Sequence, residues 1–187
     1  MNKELLQIDK LFKENKFNQV IKKTKSLINS NEQIPPYYNL LGLSLSRIGK
    51  DIDAEKHFLE GIKKYPNEIS LRSNIAQIQL NLKKITEAEE NLNYAFKIDK
   101  EDIFTLFVLG KLKREQFKLE ESITIFKKIC EKNLKFPNAL IFLGQTYLDL
   151  AQQKNDKKSY DLAEKHLLIC SDLFPLATGV DYTISTI

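Results

Sequence analysis

Few side chains in this 187-residue chain have the types and spacing needed for chemistry. His57 and His166 are its two histidines, and each ends the same phrase, Ala54-Glu55-Lys56-His57 and Ala163-Glu164-Lys165-His166. Zinc ligation needs further ligands at defined spacing, and acid–base work needs a positioned partner. Neither histidine has such a neighbour, and their recurrence in one phrase assigns them to a repeated pattern rather than a site. Cys130 and Cys170, far apart in the chain, make neither a disulfide framework nor a metal motif. Both read as small buried hydrophobes in a reducing compartment, because no histidine stands in the adjacent helical turns to activate a nucleophile. The chain also lacks a phosphate-binding P-loop, a G-x-S-x-G elbow, an H-E-x-x-H helix and a G-x-G-x-x-G turn. The reading is therefore a protein with no catalytic residues, no metal site and no cofactor, and not an enzyme.

Composition narrows the class. Hydrophobic residues make up 42 % of the chain, and it holds 11 Phe, 7 Tyr, 6 Gly and 5 Pro, which excludes a disordered or collagen-like polymer. The net charge of +4 comes from 29 basic and 25 acidic residues, and 26 of the bases are lysine. With 20 Ile and 14 Asn beside them, that lysine excess reflects the codon bias of an AT-rich genome before it reflects function. Only three arginines and no basic–aromatic stripe argue against nucleic acid as a partner. No apolar run approaches the roughly 18 residues of a membrane span, and residues 1–9 lack the apolar core of a secretory signal. A soluble, cytoplasmic protein without membrane partners is expected.

What must position these residues is a repeat. Leu41-Gly42, Ile75-Ala76, Leu109-Gly110 and Leu143-Gly144 follow one another with a constant period of 34. Ala54, Ala88 and Ser122 lie thirteen positions after the leading members of the first three pairs, followed by Phe58, Leu92 and Phe126, then Gly61, Ala95 and Ile129. The pattern describes two antiparallel amphipathic helices of about 14 residues joined by a three-residue turn, with small residues where the helices must come close. Gly49-Lys50-Asp51 supplies one such turn, and Thr86-Glu87-Ala88-Glu89 has the spacing of a capping box at a helix start. Pro35-Pro36, Pro66, Pro137 and Pro175 all fall between repeats.

The period and these residues resemble the tetratricopeptide repeat family, whose repeat is a 34-residue helix–turn–helix. The expected fold is all-α, an α-α superhelix of about five repeats plus a partial sixth. It forms a single array over 1–187, with repeats at 1–34, 35–68, 69–102, 103–136 and 137–177, and residues 178–187 beginning a further helix. The second repeat matches best, through Tyr38, Leu41, Gly42, Ala54, Phe58, Gly61 and Pro66; the first is degenerate, with Gln7-Ile8 in place of Leu-Gly. In the fifth, the step from Gly144 to Ala163 is nineteen positions where that from Gly42 to Ala54 is twelve, so seven are extra. Seven residues are about two helical turns. Both helices should lengthen by roughly one turn, with Ala151–Lys158 as a polar tip that serves either as a tolerated extension or as a partner contact.

The resemblance also implies a binding surface. In the family the first helix of each repeat, helix A, lines a concave groove at positions 2, 5, 6, 9, 12 and 13. Carried over, these give Asn39 and Arg47 in the second repeat and Ser73, Asn74, Gln77 and Asn81 in the third. They add Phe107, Lys111 and Arg114 in the fourth and Gln145 in the fifth. The lining is amide-rich in the middle and flanked by cations and an aromatic ring, which suits an extended peptide gripped by its main chain. The family's clamp for chaperone C-termini is missing, since Leu5, Asp9, Leu40, Ser70 and Asn74 occupy the positions that would form it. The basic residues of the fourth repeat, eight against four Glu, spread around both helices and serve either as a solvated face or as a patch for an acidic partner.

A protein–protein interaction scaffold follows from these observations. The alternative is the N-terminal recognition region of a larger enzyme, such as a sulfotransferase or glycosyltransferase. The register continues into Ile184-Ser185 and then stops without a polar cap. That ending suggests a longer natural protein, or a last face covered by a partner or by a second copy through self-association.

Overall fold

The computed structural model describes residues 2–30, 33–132 and 136–173; residues 174–187, including the expected start of a sixth repeat, lie outside them. Among the described residues there are ten α-helices and no strand. They fall into two compact lobes, within residues 1–100 and 101–187. The first holds α1 (Lys3–Lys13), α2 (Phe17–Asn29), α3 (Pro35–Arg47), α4 (Asp51–Lys64), α5 (Ile69–Asn81) and α6 (Ile85–Ile98). The second holds α7 (Ile103–Glu115), α8 (Leu119–Lys132), α9 (Pro137–Lys154) and α10 (Lys157–Leu173). Odd-numbered helices are the A helices of the repeats and even-numbered ones the B helices.

Four of the five hairpins share one turn. Asn15, Gly49, Lys83 and Phe117, each one repeat period after the last, take left-handed backbone with φ of 57°, 77°, 60° and 58°. The next residue, Lys16, Lys50, Lys84 or Lys118, donates its N–H to the carbonyl five residues back at 2.8–2.9 Å. The left-handed residue itself donates three residues back at 2.9–3.0 Å. This pair of bonds ties off helix A. It also launches helix B at once, so α6 begins at Ile85 behind Lys84 with no side-chain cap. The expected capping box therefore does not form: Thr86 is already the second residue of α6. Caps appear instead on other helices. Asn2 accepts from the Glu4 N–H at 2.9 Å, and Asp102 from the Thr105 N–H at 2.7 Å.

Packing explains the spacing of small residues. A Cβ built on Gly42 would stand 2.4 Å from the Phe58 ring, one on Gly110 2.7 Å from Phe126, and one on Gly144 2.6 Å from Leu167. The third hairpin solves the same problem differently, with Ala76 on α5 and the smaller Leu92 on α6, both fully buried. Ser122 keeps the small-residue role of Ala54 and Ala88, its buried hydroxyl donating to the Gly110 carbonyl at 2.9 Å. In α3, Tyr37 joins Ile8 and Val20 in one cluster, while Tyr38 joins Leu41, Phe58, Leu71 and Ile75 in another. Adjacent residues of one helix thus serve two cores, so this A helix is buried on two sides.

The seven extra residues of the fifth repeat are shared unequally. The helix α9 has 18 residues where α3, α5 and α7 have 13, α10 starts three residues earlier relative to its alanine, and the turn shrinks from three residues to two. Asn155 closes α9 at φ 50°, and Asp156 accepts from the backbone of Lys158 and Ser159. Of the expected tip, Gln152 to Asn155 are exposed but Ala151 is fully buried, because it still belongs to the core face of α9.

The Gly42→Ala variant should lose about 1–3 kcal/mol in urea denaturation, since overpacking outweighs the better helix propensity of alanine. Combined with Phe58→Leu, which rebuilds the Ala76–Leu92 pairing, it should lose clearly less than the sum of the two single changes.

Candidate functional site

The A-helix faces carry the residues expected to bind, in two groups. In the first lobe, α3 and α5 bring Asn39 and Asn74 together: the Asn74 amide donates to Asn39 Oδ1 at 3.0 Å. Asn39 Nδ2 in turn donates to Ser70 Oγ at 2.6 Å, and Ser70 donates to Glu68 Oε1 at 2.7 Å. Gln77 and Asn81, one turn apart on α5, form a second amide pair at 3.1 Å. Arg47 is exposed at the end of α3. Ser73, by contrast, is fully buried, so it packs beneath the face rather than lining it.

Beside Asn39 lies a mostly apolar recess of about 370 Å³, walled by Leu5, Leu6 and Asp9 of α1 and Pro36, Asn39 and Leu40 of α3. Leu6 is 47 % exposed there. Apart from Asn39, sequence reasoning did not select these residues. A signal was present, because Leu5, Leu6, Asp9, Pro36 and Leu40 occupy positions 5, 6, 9, 2 and 6 of their repeats, all among the lining positions.

In the second lobe, Arg114 of α7 is clamped by α9. Its Nε donates to Asp149 Oδ2 at 2.5 Å, Nη2 to Asp149 Oδ1 at 3.2 Å, and Nη1 to Gln145 Oε1 at 3.4 Å. Asp149, which sequence reasoning passed over, neutralises the expected cation in a two-point pair. Lys111 sits over two rings, 5.2 Å from the centre of Phe142 and 5.8 Å from Phe107. Burial drives its pKa down to about 8, with Arg114 adding to the shift and Glu115 opposing it. Phe107 is itself 6 % exposed, packed edge-on against Phe136 and Phe142 at 5.1 and 5.3 Å. It therefore supports this face from below and does not line it.

The remaining chemistry-bearing side chains have ordinary surroundings. His57 Nδ1 lies 3.0 Å from Glu60. His166 instead stacks on Tyr147, with ring centres 5.6 Å apart, and burial lowers its pKa, helped by Lys165 and Lys127. The shared phrase fixes their register but not their contacts. Cys130 and Cys170 are buried free thiols; burial, with Cys170 and Glu131 nearby, raises the Cys130 thiol to about 11. That thiol carries almost no thiolate at neutral pH. Among the described residues no group of three or more His, Cys, Asp or Glu is placed to hold a metal, and no helix is long and apolar enough to cross a membrane.

Comparison with known proteins agrees with this architecture. Residues 69–102 match the model of the tetratricopeptide repeat. The BBSome complex member BBS4 of Mus musculus is 30 % identical over 105 residues, which are 56 % of this chain and 20 % of that protein. The chain thus spans about a fifth of that relative. The structure of TTC0263, a thermophilic repeat protein of Thermus thermophilus, superposes with a TM-score of 0.83 at 11 % identity, covering 98 % of this chain and 96 % of the other. YrrB, described as having an unusual peptide-binding site, gives 0.65 at 15 % identity over 98 % and 91 % of the two chains.

Lys111→Met should raise stability at pH 7 by about 1–3 kcal/mol, because each pKa unit corresponds to about 1.4 kcal/mol. The folded pKa lies below the ordinary 10.5. The unfolded chain therefore holds more protons between about pH 8 and 10.5, and wild-type stability gains there as pH rises. Urea midpoints at pH 7 and 10 should show the advantage of the variant shrinking at the higher pH.

Proposed function

The chain is a tetratricopeptide-repeat protein, and on that premise we propose that it is a non-catalytic scaffold that binds an extended peptide segment of a partner protein along its A-helix faces. The observation that carries the proposal is the polar chain Asn74–Asn39–Ser70 in the first lobe. Its members satisfy one another in the free protein, so each bond can be exchanged for one to a peptide N–H or C=O with a small net change. Gln77 and Asn81 extend the same chemistry along α5. The recess between Leu5, Leu6 and Leu40 then receives an apolar side chain of the bound segment. In the second lobe Lys111, Arg114 and Gln145 form a polar face of different character, in which the charge of Arg114 is balanced by Asp149.

This reading includes a cytoplasmic setting, supported by the two buried free thiols. It assigns no reaction to the chain.

Dodecapeptides selected on the wild-type protein from a random library supply the test. Asn74→Glu should weaken their binding at least tenfold while the melting temperature stays within about 2 °C, since the change lies on a half-buried polar surface. Equal binding by the variant and the wild type would show that the first lobe does not read peptides through its amides.

A further inference from the structure

Two B helices expose a leucine at the same place, five residues after their buried alanine: Leu59 on α4 and Leu168 on α10, 50 % and 45 % exposed. The other three B helices hold Lys25, Asn93 and Lys127 there, so the hairpin itself does not call for an apolar residue. Each leucine also has an apolar companion. Ile52, two turns before Leu59 on the same face of α4, is 73 % exposed, and Leu173 follows Leu168 at 52 %. Leu59 stays exposed although the third repeat follows it, so this is not a face that a following repeat covers.

The flanks of the two leucines carry opposite charge. Beside Leu59 stand Lys56 and Lys63, both exposed and without an ion pair among the described residues. The neighbouring carboxylates of α4 face other partners: Glu55 Oε2 accepts from Lys84 at 2.6 Å, and Glu60 lies 3.0 Å from His57. Glu164 and Asp172 stand one turn to either side of Leu168, likewise exposed and without an ion pair among the described residues, with Lys165 as the cation between them. A shallow recess of about 470 Å³ runs along α4 past Ile52, Lys56, Leu59 and Lys63.

We propose that the α4 face binds the α10 face of a second copy of this chain, head to tail. Laid antiparallel with Leu59 against Leu168, the two helices set Lys63 opposite Glu164 and Lys56 opposite Asp172, and Ile52 comes opposite Leu173. The parallel direction would instead press Lys56 against Lys165. Pairing either face with its own copy also fails, because it brings Lys63 beside Lys56, or Asp172 beside Glu164. The unlike, antiparallel pairing alone neutralises all four charges around an apolar centre. Each copy then keeps one face of each kind free, so the contacts continue past a dimer into rings or open chains. A single helix-on-helix contact falls below the roughly 1,200 Å² of standard interfaces, which makes the association weak and concentration-dependent.

Sedimentation equilibrium of the full chain is the test. At about 10 μM the wild type should have the 21.7 kDa of one chain, and by about 500 μM its weight-average mass should rise at least twofold. The double variants Lys56→Glu/Lys63→Glu and Glu164→Lys/Asp172→Lys should each stay monomeric over that range. Their melting temperatures should remain within about 2 °C of the wild type, since all four positions are exposed. An equimolar mixture of the two variants should associate again, an outcome that a folding defect could not produce. Asn74→Glu, on an A-helix face, should leave the association unchanged. A wild type that stays monomeric throughout would overturn the proposal and leave both faces to other proteins. Undiminished association of either double variant, or a mixture that stays monomeric, would overturn it as well.

Discussion

Each hairpin of this protein closes around a shared volume between position 8 of its first helix and the large residue of its second. Gly42 leaves no room for a Cβ because Phe58 fills it, and Gly110 stands in the same relation to Phe126. Ala76 coexists with Leu92, and in the first hairpin the order reverses, with Ile8 at position 8 and Thr24 in the large position, both fully buried. Interiors packed near crystal density tolerate such exchanges only when total volume is kept. The degenerate first repeat departs from the residue pattern while obeying the volume rule beneath it. Close approach of the two helices in turn fixes which A-helix residues remain outside.

That constraint separates what the sequence discloses from what it conceals. The constant period locates the hairpins because close contact requires complementary volumes at two fixed places, and four of the five hairpins meet that need with Gly or Ala at position 8. It does not disclose which A-helix residues stay exposed with equal fidelity. In the second, third and fourth repeats position 5 holds Asn39, Ser73 and Phe107, and of these only Asn39 remains accessible. An A helix buried on two sides turns a small or apolar residue inward and a large polar one outward, so the family position alone does not decide. The missed capping box has a similar cause: the turn bonds that end α5 start α6 before Thr86 is reached.

The polar contacts between A helices do follow a rule of spacing. Asn39 meets residues 31 and 35 further on, Ser70 and Asn74, and Arg114 meets Gln145 and Asp149 at the same two separations. Those numbers are one repeat less three residues and one repeat plus one. They select two side chains a single turn apart on the next A helix, so one residue straddles its neighbour's ridge. By this spacing Arg114 and Asp149 are partners by register. It also shows why equivalent surfaces in the two lobes differ in character: the same geometry joins amides in one and opposite charges in the other.

The substantial helix contacts within each lobe run only to the next helix or the next but one, and the side-chain hydrogen bonds described span no more than 35 residues. No long loop has to close before a contact becomes rewarding. Chains built in this way have low contact order and fold on microsecond-to-millisecond timescales, faster than sheet proteins of equal stability. Their order spreads from one hairpin to its neighbour rather than arriving everywhere together.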